Sequence, residues 1–497
     1  MRNLLPCVLA LVLFAVAAPS AAHQQVDPEL LKRVEPRRGA PPADIRRPPG
    51  DPLVEKGRRL FFEETFGGNG RTCGTCHRAE RNFTIDPEFI AKLPPTDPLF
   101  VHETNPALAA LENAELLRKH ALFLENLDGF DRPGVFRSAQ HIFGLRLTTG
   151  PARGGNIENP LPDAEAPLQG ALGWSGDGAP GTGTLLEFAV GAVVQHMPKT
   201  LNRVEGVDFR LPTEDELDAL EAFQLSLGRQ EEYIVDPADP NALTFRDPFV
   251  SEGQRLFHDA PARTDANRSC GACHHNAGSN QPDGFGANRN TGTQRHPNAP
   301  ACRAPGQAPF DNGFGATPET TVTLCGQTLR AFGDGRFNSQ SLVEAADTPP
   351  FFHNNIVDTI EEAVDFYTTD IFSVDRAFVL SKTQINQVAA FLRAINAIDN
   401  IASAQRSLNV GVGRPSLPAT HKSDALRDIK DAINVLTKGP TSLFASTRAV
   451  DSLRAAITKV ERGLITPARV DLARAQQLIV GPPPRGGGAQ AARPGAQ

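Results

Sequence analysis

The chain has 497 residues, 40% hydrophobic and 22% charged, a balance that excludes wholesale disorder and leaves length for two or more folded domains. A formal charge of −7 spread along the sequence leaves no basic footprint, which argues against nucleic acid as a partner and is compatible with a basic redox protein. The first residues, MRNLLPCVLALVLFAVAAPSAAHQQ, carry one early charge, an apolar run and then small residues, so a cleavable signal peptide is expected over 1–22. Cys7 lies inside that run with no lipobox before it. No later apolar run approaches the roughly 20 residues that span a bilayer, so a protein exported to the periplasm or secreted, without a membrane span, is expected.

Residues 23–50, with EPRRGAPPADIRRPPGDP, read as an extended Pro/Arg-rich linker. A short helix is then expected around Gly57-Arg-Arg-Leu-Phe61, just ahead of the motif CGTCH at 73–77. The same element returns as Gly253-Gln-Arg-Leu-Phe257 ahead of CGACH at 270–274. Each unit ends in an amphipathic helix. The first, over 211–229, opens on a Thr213/Glu216 capping box and repeats Leu217, Leu220, Phe223 and Leu227. The second, over 380–398, repeats Ile385, Val388, Phe391 and Ile395. Two mostly helical domains follow, over 51–235 and 236–400, then a helical extension over 401–480 without metal-ligand residues and a disordered tail over 481–497. The extension reads as a packing or docking hairpin.

The cysteines carry the chemistry. With Cys7 removed, Cys73, Cys76, Cys270 and Cys273 fall into two C-x-x-C-H motifs, and Cys302 and Cys325 remain in a Gly-, Pro- and Asn-rich loop, where an oxidising compartment makes them a disulfide. In C-x-x-C-H the two thiols add across the haem vinyl groups and the adjacent histidine faces the iron. A zinc site or redox dithiol would need a second cysteine pair nearby or a thioredoxin-like context, and neither motif has one. The expected fold is therefore mostly α, with two cytochrome c-like domains that each carry one covalent haem, on His77 and His274. Met197, the one methionine left after signal removal, precedes the second motif, so a downstream Met ligand is not available to that haem.

The passage Ser341-Leu-Val-Glu-Ala-Ala-Asp-Thr-Pro-Pro-Phe-Phe-His-Asn-Asn355, with Thr359-Ile-Glu-Glu-Ala-Val364 after it, resembles the signature of bacterial di-haem cytochrome c peroxidases and MauG-type enzymes over about 51–400. The resemblance implies that Tyr367, at the position where peroxidases carry Met and MauG-type members Tyr, ligates the second haem. It also implies that Trp174, in Gly173-Trp-Ser-Gly-Asp177, lies between the haems and relays electrons. Where peroxidases place a catalytic Glu, Val194-Gln-His-Met-Pro198 has none, so Gln195 or His196 would have to serve by hydrogen bonding or proton transfer. His102, His120 and His141 all precede Trp174 and any of them could approach the first haem. Arg137 either contacts a propionate or lies on the surface. His275 cannot bind the face opposite its neighbour His274. Rubber oxygenases of the same superfamily have similarly altered sites with an apolar oxygen pocket, which Phe188 would suit. Calcium and a homodimer are compatible with the resemblance.

The chain holds 29 Phe against two Tyr and one Trp, a scarcity of oxidisable side chains that suits a site storing oxidising equivalents. The expected function is a di-haem oxidoreductase that activates peroxide at the first haem with electrons relayed through the second. The donor would be a small cytochrome or cupredoxin, or an organic substrate. A haem-dependent dioxygenase and a pure electron carrier are the alternatives.

Overall fold

The computed structural model describes residues 47–126, 129–130, 134–149, 172–174, 185–263, 269–278, 288–303, 310–313, 320–373, 377–439 and 446–481. The expected signal peptide, the linker up to residue 46 and the tail from 482 lie outside the described residues. About half of the chain is helical and little is strand, so the fold is mostly α. Among the described residues no helix is long and apolar enough to cross a membrane.

The first unit begins with α1 (Pro52–Glu63), started by Asp51, whose side chain accepts from the Leu53 amide, and by Pro52 in the first turn. It continues through α2 (Leu185–His196) to α3 (Glu214–Ser226), where Thr213 and Glu216 form the expected capping box. The second unit repeats the plan with α4 (Pro248–His258), the short α5 (Ile360–Phe366) and the long α6 (Lys382–Asn409). The repeated glycine explains the pairing. A Cβ at Gly57 would stand 1.8 Å from the Ala219 carbonyl oxygen in α3, and one at Gly253 would stand 1.8 Å from the Gln387 carbonyl oxygen in α6. Each crossing admits no side chain. One turn on, Phe61 meets Phe223 and Phe257 meets Phe391, both with ring centroids 5.3 Å apart.

The closing helix of the second unit continues past residue 400. α6 runs on to Asn409 because Ile395, Ile398, Ile401, Ala404 and Leu408 keep its buried face apolar and no Gly or Pro intervenes before Gly411. The expected hairpin is three helices, α7 (Ala419–Thr437), α8 (Ser446–Glu461) and α9 (Ile465–Ile479). Their apolar faces, with Ile429, Leu453 and Leu472 among them, share one core with α4 and α6. α7 also reaches the first unit, where His421 Nε2 lies 3.0 Å from Glu55 Oε1 of α1.

Strands are short. β1 (Leu122–Glu125) and β2 (Val135–Ser138) pair antiparallel, with Phe123 opposite Arg137. The Gly/Pro/Asn-rich region after the second motif holds more order than a loop: β3 (Asn288–Arg289), β4 (Phe310–Asp311), β5 (Thr320–Leu324), β6 (Gln327–Phe332) and β7 (Phe337–Asn338). β4 lies parallel and β5 antiparallel to β6, and β3 pairs with β7. The Thr- and Val-rich run of β5 supplies the strand propensity. Cys302 and Cys325 are joined by a disulfide with Cα atoms 5.6 Å apart.

A group of carboxyls is buried where the segment before Thr348 meets α6 and α7. Asn400 Nδ2 donates to Glu344 Oε2 at 2.9 Å and Asn396 Nδ2 donates to Asp347 Oδ2 at 3.1 Å. The second oxygens of Glu344, Asp347 and Asp428 have no hydrogen-bond partner. Burial, then the neighbouring carboxylates, holds Glu344 well above its ordinary value, and burial pushes Asp428 up to about 6.

Two outcomes follow from this packing. Gly253→Ala should cost about 1–3 kcal/mol by forcing α4 off α6, read as a lowered thermal midpoint. Glu344 binds its proton more tightly folded than unfolded, so its contribution is full below pH 4.5, the ordinary value, and is lost as pH rises through the raised folded value. Glu344→Gln should accordingly melt higher than wild type at pH 8, with the difference shrinking towards pH 4. An equal difference at both pH values would contradict the buried-acid assignment.

Candidate haem sites and the residues between them

In the first motif Cys73–Cys76 form a single helical turn capped by Thr72, whose amide donates to Thr75 Oγ1 at 2.9 Å. A Cβ at Gly74 would stand 2.4 Å from Phe62 Cδ1, so the turn lies against the end of α1. His77 Nδ1 donates to the Phe83 carbonyl at 2.9 Å, which puts the ring's lone pair on Nε2. Burial lowers the pKa of that imidazole and pushes the Cys73 and Cys76 thiols up to about 12 and about 11.

The second motif repeats this geometry. Ser269 caps the turn Cys270–Ala272, and His274 Nδ1 donates to the Gln340 carbonyl at 2.8 Å. Burial brings His274 down to about 4 and raises Cys270 to about 12. Gly271 lies against His258, whose ring would be 3.1 Å from a Cβ there.

These residues fit a covalent haem at each motif. The thiols of Cys73, Cys76 and Cys270 are neutral, each histidine presents one oriented nitrogen, and buried polar atoms without a protein partner lie about both: His141 Nδ1, His196 Nδ1 and Gln140 Nε2 about the first, Gln340 Nε2 and His258 Nε2 about the second. Among the described residues no group of three or more His, Cys, Asp or Glu side chains is placed to hold a metal ion.

Of the three histidines before Trp174, His141 is the one that feels the charge of His77. It is brought down to about 4 by burial and donates from Nε2 to the Ser341 carbonyl, 3.1 Å away. His102 is buried beside Arg71 and Glu103, and His120 is coupled to Arg303, Glu115 and Lys119. His196, at the end of α2, is taken down to about 3 by burial and then by the positive charges of Arg71 and Arg203, so it is a neutral imidazole. Gln195 is less free than its position in the sequence suggests. Its amide is buried and exchanges hydrogen bonds with Asn126, donating to Asn126 Oδ1 at 3.0 Å and accepting from the Asn126 amide at 3.4 Å. Met197 is packed in the core of the first unit.

Tyr367 caps α5 at its C-terminal end, in a nest of Phe352, Phe366 and Phe372 with ring centroids 6.2, 5.5 and 5.1 Å away. Burial, and then the nearby Cys273 and Cys270, raises its hydroxyl far above the ordinary value. His275 instead turns to Asn276 and Glu232.

Trp174 touches both units. Its indole N–H donates to the Ser138 carbonyl in β2 at 2.9 Å, and its ring lies edge-on to His353 at 6.1 Å. His353, a neutral imidazole brought down to about 3 by burial, stacks on Phe337 at 3.8 Å. Phe188 packs over Gly173, 3.1 Å from where its Cβ would be. Arg137 is not on the surface. It is fully buried and grips Asp311 of β4 with two bonds of 2.7 and 2.9 Å. Asp311, Asn126 and Asn338 are site-forming residues that sequence reasoning missed, since each lies in a segment without periodicity or motif.

No protein-family model matches the chain, and no curated protein matches it.

Proposed function

We propose that the protein is an exported di-haem c-type oxidoreductase of the cytochrome c peroxidase and MauG kind, which activates peroxide at the haem on His77 with electrons passed through the haem on His274. The observation that carries this reading is the paired geometry: two C-x-x-C-H turns with each histidine's Nδ1–H tied to a carbonyl, and Trp174 bonded to both units, through its indole N–H to the Ser138 carbonyl and through its own carbonyl to the Asn338 amide. When bound, the haems supply the redox-active irons and the oxidising chemistry.

The chain's own residues divide the remaining work. The carbonyls of Phe83 and Gln340 fix the tautomer of His77 and His274 and make Nε2 a better donor to metal. Tyr367 offers a hard anionic oxygen once its proton is displaced, and such a ligand lowers a potential and favours the oxidised side of the couple. His196 serves the first site as a hydrogen-bonding imidazole, with its neutral form held by burial across the working pH range. Asn126 ties down the Gln195 amide beside His196. Trp174 carries electrons, and its proton stays on Nε1 because the Ser138 carbonyl is not a base.

The dioxygenase reading rests on one observation: an imidazole taken down to about 3 hydrogen-bonds well and takes up protons poorly, which suits holding dioxygen beside Phe188 more than stripping a proton from peroxide. Steady-state assays separate the two. The peroxidase reading predicts consumption of hydrogen peroxide with a reduced small cytochrome as donor, and a fall of about a hundredfold on the substitution His196→Ala. Stable oxygen binding with negligible peroxide turnover would transfer the assignment to the oxygenase class.

A further inference from the structure

Among the described residues, the Gly173-Trp174 step is held from the second unit by Asn338. Asn338 donates its backbone N–H to the Trp174 carbonyl at 2.9 Å and its side-chain Nδ2 to the Gly173 carbonyl at 3.0 Å. Gly173 adopts φ +69°, a conformation favouring glycine, at the step whose consecutive carbonyls meet that one donor pair. Asn338 is itself buried and fixed, because β7 is paired to β3 through Asn288 opposite Asn338. The residue before it, Phe337, stacks on His353 at 3.8 Å and lies under the Arg137 guanidinium at 5.6 Å. Ser138, the acceptor of the indole N–H, is in turn bonded to the same segment as His353: its amide donates to the His353 carbonyl at 2.7 Å and its hydroxyl to the Phe352 carbonyl at 3.1 Å. The dipeptide Phe337-Asn338 thus fixes the backbone of one ring and the face of the other.

We infer that Asn338 is a positioning residue for electron transfer through Trp174, which it clamps by a two-point amide contact from the second unit onto the backbone of the Gly173-Trp174 step. The inference rests on the di-haem reading above. The indole has one side-chain bond, to Ser138, and that bond alone leaves the backbone free to pivot about it. The Asn338 pair removes the pivot. Aspartate has the same shape and no donor for the Gly173 carbonyl, alanine has no side-chain group to reach it, and the backbone bond to Trp174 survives in both. With haems bound at His77 and His274, the step would move one electron from the second to the first by way of the indole, with no bond made or broken and the indole proton retained.

The test uses the full holoprotein and two variants, Asn338→Asp and Asn338→Ala, beside Trp174→Phe. An electron is delivered from a small-molecule reductant, its passage from the second haem to the first is followed by stopped-flow absorption, and both reduction potentials are titrated. Because the chain has one Trp, ultraviolet resonance Raman reports the hydrogen bonding and orientation of this indole alone. The expected result is transfer slowed about tenfold or more in both Asn338 variants, since misplacement of order 1 Å has effects of this size, with potentials unchanged and the indole bands shifted. Wild-type rates and indole bands in both Asn338 variants, with Trp174→Phe slow, would overturn the role of Asn338 and leave the relay standing. A rate loss explained by shifted potentials would overturn it as well. A wild-type rate in Trp174→Phe would instead remove the relay, and the clamp's purpose with it.

Discussion

The architecture depends on two helix crossings too close for a side chain. At Gly57 and at Gly253 the helix ahead of each C-x-x-C-H motif lies directly against the backbone of the unit's closing helix, where a Cβ would be 1.8 Å from a carbonyl oxygen. That contact sets the Phe61–Phe223 and Phe257–Phe391 pairs one turn later, and with them the direction in which the chain enters the motif. The cysteine turns and the histidines they carry inherit their orientation from it. The carbonyls of Phe83 and Gln340 complete the orientation by fixing which imidazole nitrogen is free.

Charged groups in the interior join the two units. Arg137 with Asp311, and Arg229 with Asp399, are bidentate pairs between residues 174 and 170 positions apart, each almost fully out of solvent. Such pairs give little net stability over apolar packing, yet loss of one partner costs about 3–5 kcal/mol because the other is left buried and unpaired. They therefore penalise misregistered docking, which matters where Trp174, Ser138, Asn338 and His353 must meet from different segments. The extension adds to this by sharing a core with α6 and by touching α1 through His421 and Glu55. Packing accounts for its sequence.

Much of this was legible in the chain because it rests on short local patterns. The G-x-R-L-F repeat, the capping box at Thr213, the amphipathic closing helices and the Cys302–Cys325 pairing each depend on a few neighbouring residues, and each appears in the structure. What escaped depends on distant partners. Arg137 gave no sign of Asp311, which lies in a region that read as a loop although β4, β5 and β6 form there. Gln195 was placed by a motif position that says nothing of Asn126, whose amide occupies it. The α6 helix overran its expected end because the apolar period continues past residue 400 to serve the extension. Among three candidate histidines no spacing could select His141, since its relation to His77 arises from the fold.

The central claim is that the two motifs carry haems of different character, one with an open face beside His196 and one closed by Tyr367. Electron paramagnetic resonance of the oxidised protein, beside Tyr367→Phe, tests this most directly. The account predicts one high-spin ferric signal that changes on addition of a small anionic ligand, and one low-spin signal that is altered in Tyr367→Phe. Two low-spin signals indifferent to added ligand and to the substitution would contradict it.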